Sequence, residues 1–264
     1  MIDVILYPLL LSVPLAALVG PVGSVLVWRR SSFLSDVVSH MGILAFAIAH
    51  VADMPVLLVS VGVSVLVALL LEWAPSFVPK DAWLARLSSL GIAAGLVILN
   101  GRSGTEAFGH IFWGDVFTLS RNELIVFIMS ALFLGIHLFA VWNSLILVIF
   151  HERLAALDGV QVWLIKCIVN VVVGTSIALC LKVMGVLLTG AMFVLPSIGL
   201  RTLNLTPEKH IFGSIILILG SFLGGLAVSV CYDVAMAPWV IITLIGLNGV
   251  IFLLKKGIDR YYET

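Results

Sequence analysis

Charge is what this chain has least of. Asp, Glu, Lys and Arg make up 11% of its 264 residues, against about 25% in an ordinary soluble domain. Set beside 62% apolar residues, that scarcity excludes a water-soluble fold, because so few charges cannot cover the apolar surface left after folding. The chain reads as an integral membrane protein. Its formal net charge is zero, so nothing in the total calls for nucleic acid or another polyanion as partner. Cysteine is also sparse. Cys167, Cys180 and Cys231 lie far apart inside apolar runs, which argues against a disulfide framework or a thiolate metal site and reads them as small buried hydrophobes. No G-x-x-x-x-G-K-[ST] loop occurs, so the chain does not hydrolyse ATP by that machinery. "HERLA" opens like a zinc-protease helix but has Ala155 where the second histidine is needed, and no G-x-S-x-G elbow is present. No catalytic residue is assigned on these grounds. The opening "MIDVILYPLL" has neither a basic n-region nor an A-x-A cleavage signal and reads as a first span.

Long apolar runs stand where the charge is missing. A spanning helix needs about 20 apolar residues, and runs at 4–28, 33–52, 55–73, 87–100, 123–150, 162–181, 184–200, 211–232 and 238–254 are candidates. The fourth and seventh are short, so the expectation is an all-α polytopic transmembrane helical bundle of 8–9 spans, a single transmembrane domain over 1–264. Basic residues set the orientation, since cytoplasmic loops are enriched in Lys and Arg. With the N-terminus outside and the C-terminus cytoplasmic, Arg29, Arg30, Lys80, Arg86, Arg153, Lys166, Arg201, Lys209, Lys255, Lys256 and Arg260 fall inside. Only Arg102, Arg121 and Lys182 fall outside, eleven against three. Asp3, Asp53, Glu106, Asp115, Glu123 and Asp233 then mark the outer face, either as solvated loop carboxylates or as an acidic mouth that collects cations. The longest stretch between spans, 101–122, is aromatic enough to lie at the membrane interface. The pairs Gly91/Gly95 and Gly220/Gly224 permit close helix contact.

The run "SDVVSHMGILAFAIAH" at 35–50 is apolar enough to span, yet carries Asp36, His40 and His50. Asp36 and His40 are four apart and share one helix face, with Ser39 beside them. An ionisable group within a span costs several kcal/mol unless it faces a cavity, a partner or an ion. Two readings fit: a structural hydrogen bond between buried side chains, or an ion path. Carboxylate plus imidazole suits zinc, manganese or ferrous ions. One helix supplies two such ligands where zinc prefers four, so a two-fold dimer with this helix near its axis would supply Asp, His, Asp and His. His50 lies about 15 Å further along, outside that shell, where it could mark the outer end of the path. His137 has no acid nearby in sequence and stays unassigned.

The inner loop "HERLAALDGVQ" at 151–161 is short and charged. Leu154, Leu157 and Val160 would give a turn and a half of amphipathic helix, with Gly159 ending it. It reads as a tight solvated connection or as a knob that a cytoplasmic partner grips, which a channel or ion-driven carrier would not need.

Four motifs in order carry a resemblance over nearly the whole chain: "GPVGSVLVWRRSSFLSDVVSH"; "IFWGDVFTLSRNEL"; "HERLAALDGV" followed by "KVMGVLLTGAMFVLP"; and "LTPEKH" with "CYDVAMAPW". Together they resemble the membrane permeases of bacterial ABC importers for zinc, manganese and iron, nearest in pattern to the zinc-uptake members. The resemblance implies a type II importer architecture like that of the vitamin B12 permease, in the bacterial cytoplasmic membrane. It implies a homodimer embedded in lipid, two cytoplasmic ABC ATPase subunits docked on the 151–161 loops, and a periplasmic or tethered metal-binding protein. Asp36 and His40 would line the metal path, with His50, Asp115 and Asp233 towards its outer end. Glu152, Leu154, Leu157, Asp158 and Gly159 would couple to the ATPase. Zinc is the expected cargo, manganese or iron the alternatives, and no permanently bound cofactor is implied. The family's glycine before the acid is Ser35 here, and its L-F-G is F-W-G. A secondary metal transporter or channel acting alone is the other class considered.

Overall fold

The computed structural model describes residues 2–71, 73, 77, 79–100, 114 and 116–262. Lipid offers backbone groups no hydrogen-bond partners, so a chain this apolar must close its hydrogen bonds within helices or a barrel. Among the described residues it takes the helical solution, with no strand. The helices are α1 (Ile2–Trp28), α2 (Phe33–Ala52), α3 (Val56–Leu70), α4 (Lys80–Asn100), α5 (Arg121–Ala140), α6 (Trp142–Phe150), α7 (Glu152–Leu157), α8 (Val162–Arg201), α9 (Pro207–Tyr232) and α10 (Met236–Tyr262). A 3-10 turn, Val116–Thr118, precedes α5.

Seven of these helices are long and apolar enough to cross a membrane, and α3, at 15 residues, is shorter. Several expected bounds change. The run at 87–100 is the C-terminal two-thirds of a full-length helix of 21 residues, because the polar stretch from Lys80 is helical as well. The run at 123–150 is divided at Val141 (φ −97°, ψ 6°) into α5 and α6. The runs at 162–181 and 184–200 join into the 40-residue α8, interrupted where Gly185 takes φ 71°, ψ 171°. Unbroken, α8 would be about 60 Å long, twice the hydrocarbon thickness.

α8 is the hub. It is buried almost continuously from Val169 to Leu200 and packs against α1, α2, α3, α9 and α10. α2 is also enclosed, between α3, α4 and α8, and its many small residues (Ser35, Ser39, Gly42, Ala45, Ala47, Ala49) let those neighbours come close. By contrast α5 and α10 expose Phe133, Ile136, Phe252 and Leu253.

Most of 101–122, the stretch expected at the membrane interface, lies outside the described residues; its described end packs on the bundle. Gly114 (φ +68°) abuts the backbone of Met184 and Gly185, and a Cβ there would strike both. Val116 and Leu119 are buried. Gly185 has lost helical geometry, so the chain before α5 seats against the break in α8. All three cysteines are free: Cys180 is buried and Cys167 half-buried, as expected, but Cys231 is exposed near the end of α9. His210, read as part of the "LTPEKH" inner loop, is instead in the first turn of α9 and only 4% exposed.

Candidate functional site

The turn between α1 and α2 positions the acid. Arg30 takes a left-handed conformation (φ 55°), and Arg30 and Ser31 donate their N–H groups to the Val27 and Leu26 carbonyls at 3.1 and 2.9 Å. α2 therefore starts within a few residues of the end of α1, and Asp36 falls in its first turn. Ser35 Oγ donates to the Ser32 carbonyl at 2.9 Å and lies 3.3 Å from the Gly190 carbonyl of α8. Asp36 is half-buried against Gly190 itself, where a Cβ would meet its Oδ1. Gly190 is thus the gap that admits the carboxylate. It lies shortly after the break at Gly185, whose carbonyl accepts a hydrogen bond from Thr189 Oγ1 at 2.6 Å.

One turn along α2, His40 is half-buried and close enough to Asp36 to interact with it electrostatically. Its Nδ1 shares a 2.7 Å hydrogen bond with Ser88 Oγ of α4. Among the described residues, no hydrogen-bond partner reaches His40 Nε2 or the Asp36 carboxylate. Ser39 Oγ, buried between them in sequence, also has no partner among the described residues. The face thus presents one imidazole nitrogen and one carboxylate without engagement, a donor pair suited to a borderline divalent cation. No group of three or more His, Cys, Asp or Glu side chains converges among the described residues. Two donors are half of the number a tetrahedral zinc site takes.

The other expected positions are not gathered with this pair. His50 is exposed and stacks on Phe46 (centroids 6.1 Å, 10°). Asp233 is exposed and ends α9 in the left-handed conformation, φ 53°. Asp115 lies outside the described residues. His137 bonds the Phe133 carbonyl at 2.9 Å and packs on the Phe133 ring. A cavity of about 700 Å³ opens further along α2, beside Gly42 and Phe46. Its walls are largely apolar, and its one carboxylate, Glu123, is paired with Lys182.

In the short helix α7, Ala155 is the fully buried anchor (0%), while Leu157 is 82% exposed and Leu154 and Asp158 are exposed too. Gly159 closes the helix at φ +79°: it donates to the Ala156 carbonyl at 3.3 Å, and Val160 N–H to the Ala155 carbonyl at 3.0 Å. Glu152 pairs with Lys166 of α8 at 2.8 Å.

Sequence reading missed three things. Ser88 and Gly190, the cross-helix neighbours of the pair, are two. A faint signal for Ser88 was its place on the small-residue face Ser88–Gly91–Gly95. The third is a buried cluster joining α1, α8 and α9. Ser24, Ser197 and Ser214 hydroxyls lie 3.2–3.3 Å apart, and His210 meets Ser24 Oγ through Nδ1 (3.2 Å) and the Ser197 carbonyl through Nε2 (3.1 Å).

A profile of the ABC 3 transport family matches residues 1–255. The high-affinity zinc uptake system membrane protein ZnuB of Buchnera aphidicola subsp. Acyrthosiphon pisum is 27% identical over 88% of this chain and 90% of its own. The manganese transport system membrane protein MntC of Halalkalibacterium halodurans is 25% identical over 92% and 86%. Among solved structures, PsaBC from Streptococcus pneumoniae in complex with Fab superposes with a TM-score of 0.83, at 18% identity, over 94% of this chain and 91% of that one. This last likeness is one of fold.

Proposed function

We infer function from the premise that this chain belongs to the ABC 3 transport family. It is the multi-pass membrane permease of a bacterial ABC importer that takes up divalent metal, and ATP hydrolysis resides in a separate subunit. Zinc is the cargo that its relatives' names favour, with manganese and iron in the same family.

One observation carries the site: Asp36 and His40 share a face of α2, and among the described residues each keeps an atom free of hydrogen bonds. We assign them to the metal path. Two donors per chain against the four that zinc prefers support a homodimer in which the second copy completes the set. His50, Asp233 and Asp115 are assigned to the outer approach. Counting α8 twice at Gly185 and including α3 gives nine crossings of a single permease domain with type II, vitamin B12 permease-like architecture. The eleven-to-three distribution of basic residues supports an outside N-terminus and a cytoplasmic C-terminus.

Two cytoplasmic ATPases would grip α7 by Leu154 and Leu157, with Glu152, Asp158 and Gly159 shaping the knob. A periplasmic or tethered protein would deliver the ion, lipid would cover the exposed apolar faces, and no permanent cofactor takes part. Force on α7 has a route inward. Ala155 anchors the knob, Glu152–Lys166 ties it to the base of α8, and α8 leads to the Gly185 break and to Gly190 against Asp36. An exposed ion pair is worth under about 1 kcal/mol, so the buried Ala155 carries more of this link.

Permease and ATPase reconstituted together in liposomes should show ATP-dependent zinc uptake, with manganese run in parallel to decide the cargo. Zinc flux through the permease alone would overturn the importer reading. Leu157→Ala and Gly159→Val should leave ATP hydrolysis running while uptake falls several-fold. Normal uptake in both would remove α7 from the coupling role.

A further inference from the structure

The hydrogen bond between His40 and Ser88 joins residues 48 apart in sequence, and the packing around it is close. Leu84, Ser88, Gly91, Gly95 and Leu99 form the buried stripe of α4. A Cβ on Gly91 would strike Met41, and one on Gly95 would lie 2.9 Å from Leu44 N. The two helices therefore meet closely over the two turns that follow Ser88, and Ser88 itself, 7% exposed, is enclosed between them.

A neutral imidazole offers one N–H and one lone pair. If Ser88 donated to Nδ1, the proton would sit on Nε2 and the ring could not bind a cation. If Nδ1–H donates to Ser88 Oγ, Nε2 carries the lone pair. We propose that Ser88 is the positioning residue of the metal path: it accepts the Nδ1 proton of His40 and holds the ring so that Nε2 is the nitrogen offered to the ion. This rests on the assignment of His40 to that path.

A hydroxyl suits a transport site. A histidine that ligates metal usually donates its other N–H to an acceptor, which raises its basicity and tightens the bond. A carboxylate at 88 would do so strongly. A serine hydroxyl is a weaker acceptor than a carboxylate, so His40 is oriented without becoming a ligand that cannot let go.

The test uses the assembled permease–ATPase complex in nanodiscs, with Co²⁺ as a spectroscopic probe and Zn²⁺ affinity read by competition against a chelating dye. Ser88→Ala should weaken Zn²⁺ binding and raise the KM for zinc about tenfold, the low end of what loss of such a partner costs. Maximal uptake and basal ATPase rates should hold, and the Co²⁺ absorption should lose its imidazole-bound form. Ser88→Thr, which keeps the hydroxyl, should restore affinity. Ser88→Cys, nearly isosteric but a poor acceptor, should resemble Ala without leaving a cavity. Melting temperature and size-exclusion elution report the folding of each variant. Wild-type affinity and spectrum in folded Ala and Cys variants overturn the proposal. His40→Ala is the control: if it too binds Zn²⁺ normally, the path assignment fails, whereas its loss beside normal Ser88 variants sinks only the role of Ser88.

Discussion

His40 and His210 both sit on helices of the bundle with Nδ1 on a serine hydroxyl, and they differ at the other nitrogen. His210 has both ring nitrogens engaged, one by Ser24 and one by the Ser197 carbonyl, and its ring packs on Trp28 with centroids 5.4 Å apart. A carbonyl can only accept, so the proton of His210 is held on Nε2. His40 has Nδ1 on the Ser88 hydroxyl, an acid one turn away, and, among the described residues, no partner on Nε2. A satisfied histidine joins helices. A half-satisfied one beside a carboxylate is available to an ion.

Three sets of variants would break or sharpen that contrast. The largest effect is expected for Asp36→Ala and His40→Ala. Each should cut zinc uptake by the reconstituted complex beyond the roughly 10–100-fold typical of losing an outer-shell partner, with the melting temperature little changed. Normal uptake in either would remove the pair from the path. Gly190→Ala comes next. Its methyl would displace the Asp36 carboxylate, and a misplacement of about 1 Å can cost up to 100-fold, so uptake should fall roughly 10- to 100-fold while α2 and α8 remain packed. An unaffected Gly190→Ala would mean that the carboxylate position is not critical. The smallest effect on transport belongs to the serine–histidine cluster. His210→Ala should cost about 1–3 kcal/mol of stability, and Ser214→Ala about 0.6 kcal/mol, the average for such bonds in membrane bundles. Both would be measured as denaturation midpoints in detergent, and uptake per folded molecule should stay within about twofold of wild type. A transport defect in His210→Ala at unchanged stability would erase the distinction between the two histidines.

The two regions also differ in how far they can be read from the linear chain. Asp36 and His40 are four residues apart on a helix whose bounds, Phe33–Ala52, coincide with its apolar run. Helical periodicity alone puts them on one face. The serine–histidine cluster has no such local signature. Ser24 and Ser214 are 190 residues apart, and the polar "LTPEKH" conceals that α9 already starts at Pro207. Likewise, nothing local distinguishes Val141 as a break within one long apolar run, or places Gly114 on the backbone of α8.

The sequence by itself determined the membrane class, most of the spans, the acid–histidine pair and the exposed knob at 152–159. These follow from composition, from apolar run length and from the 3.6-residue period, all properties of neighbouring residues. Only the tertiary structure decided which polar atoms stay unengaged. That depends on which helix faces which: Ser88 reaches one nitrogen of His40 and not the other, and Gly190 leaves the room that the Asp36 carboxylate occupies. Lipid-embedded helices pack through small residues that are frequent in every span, so the chain offers many possible seams, and packing selects among them.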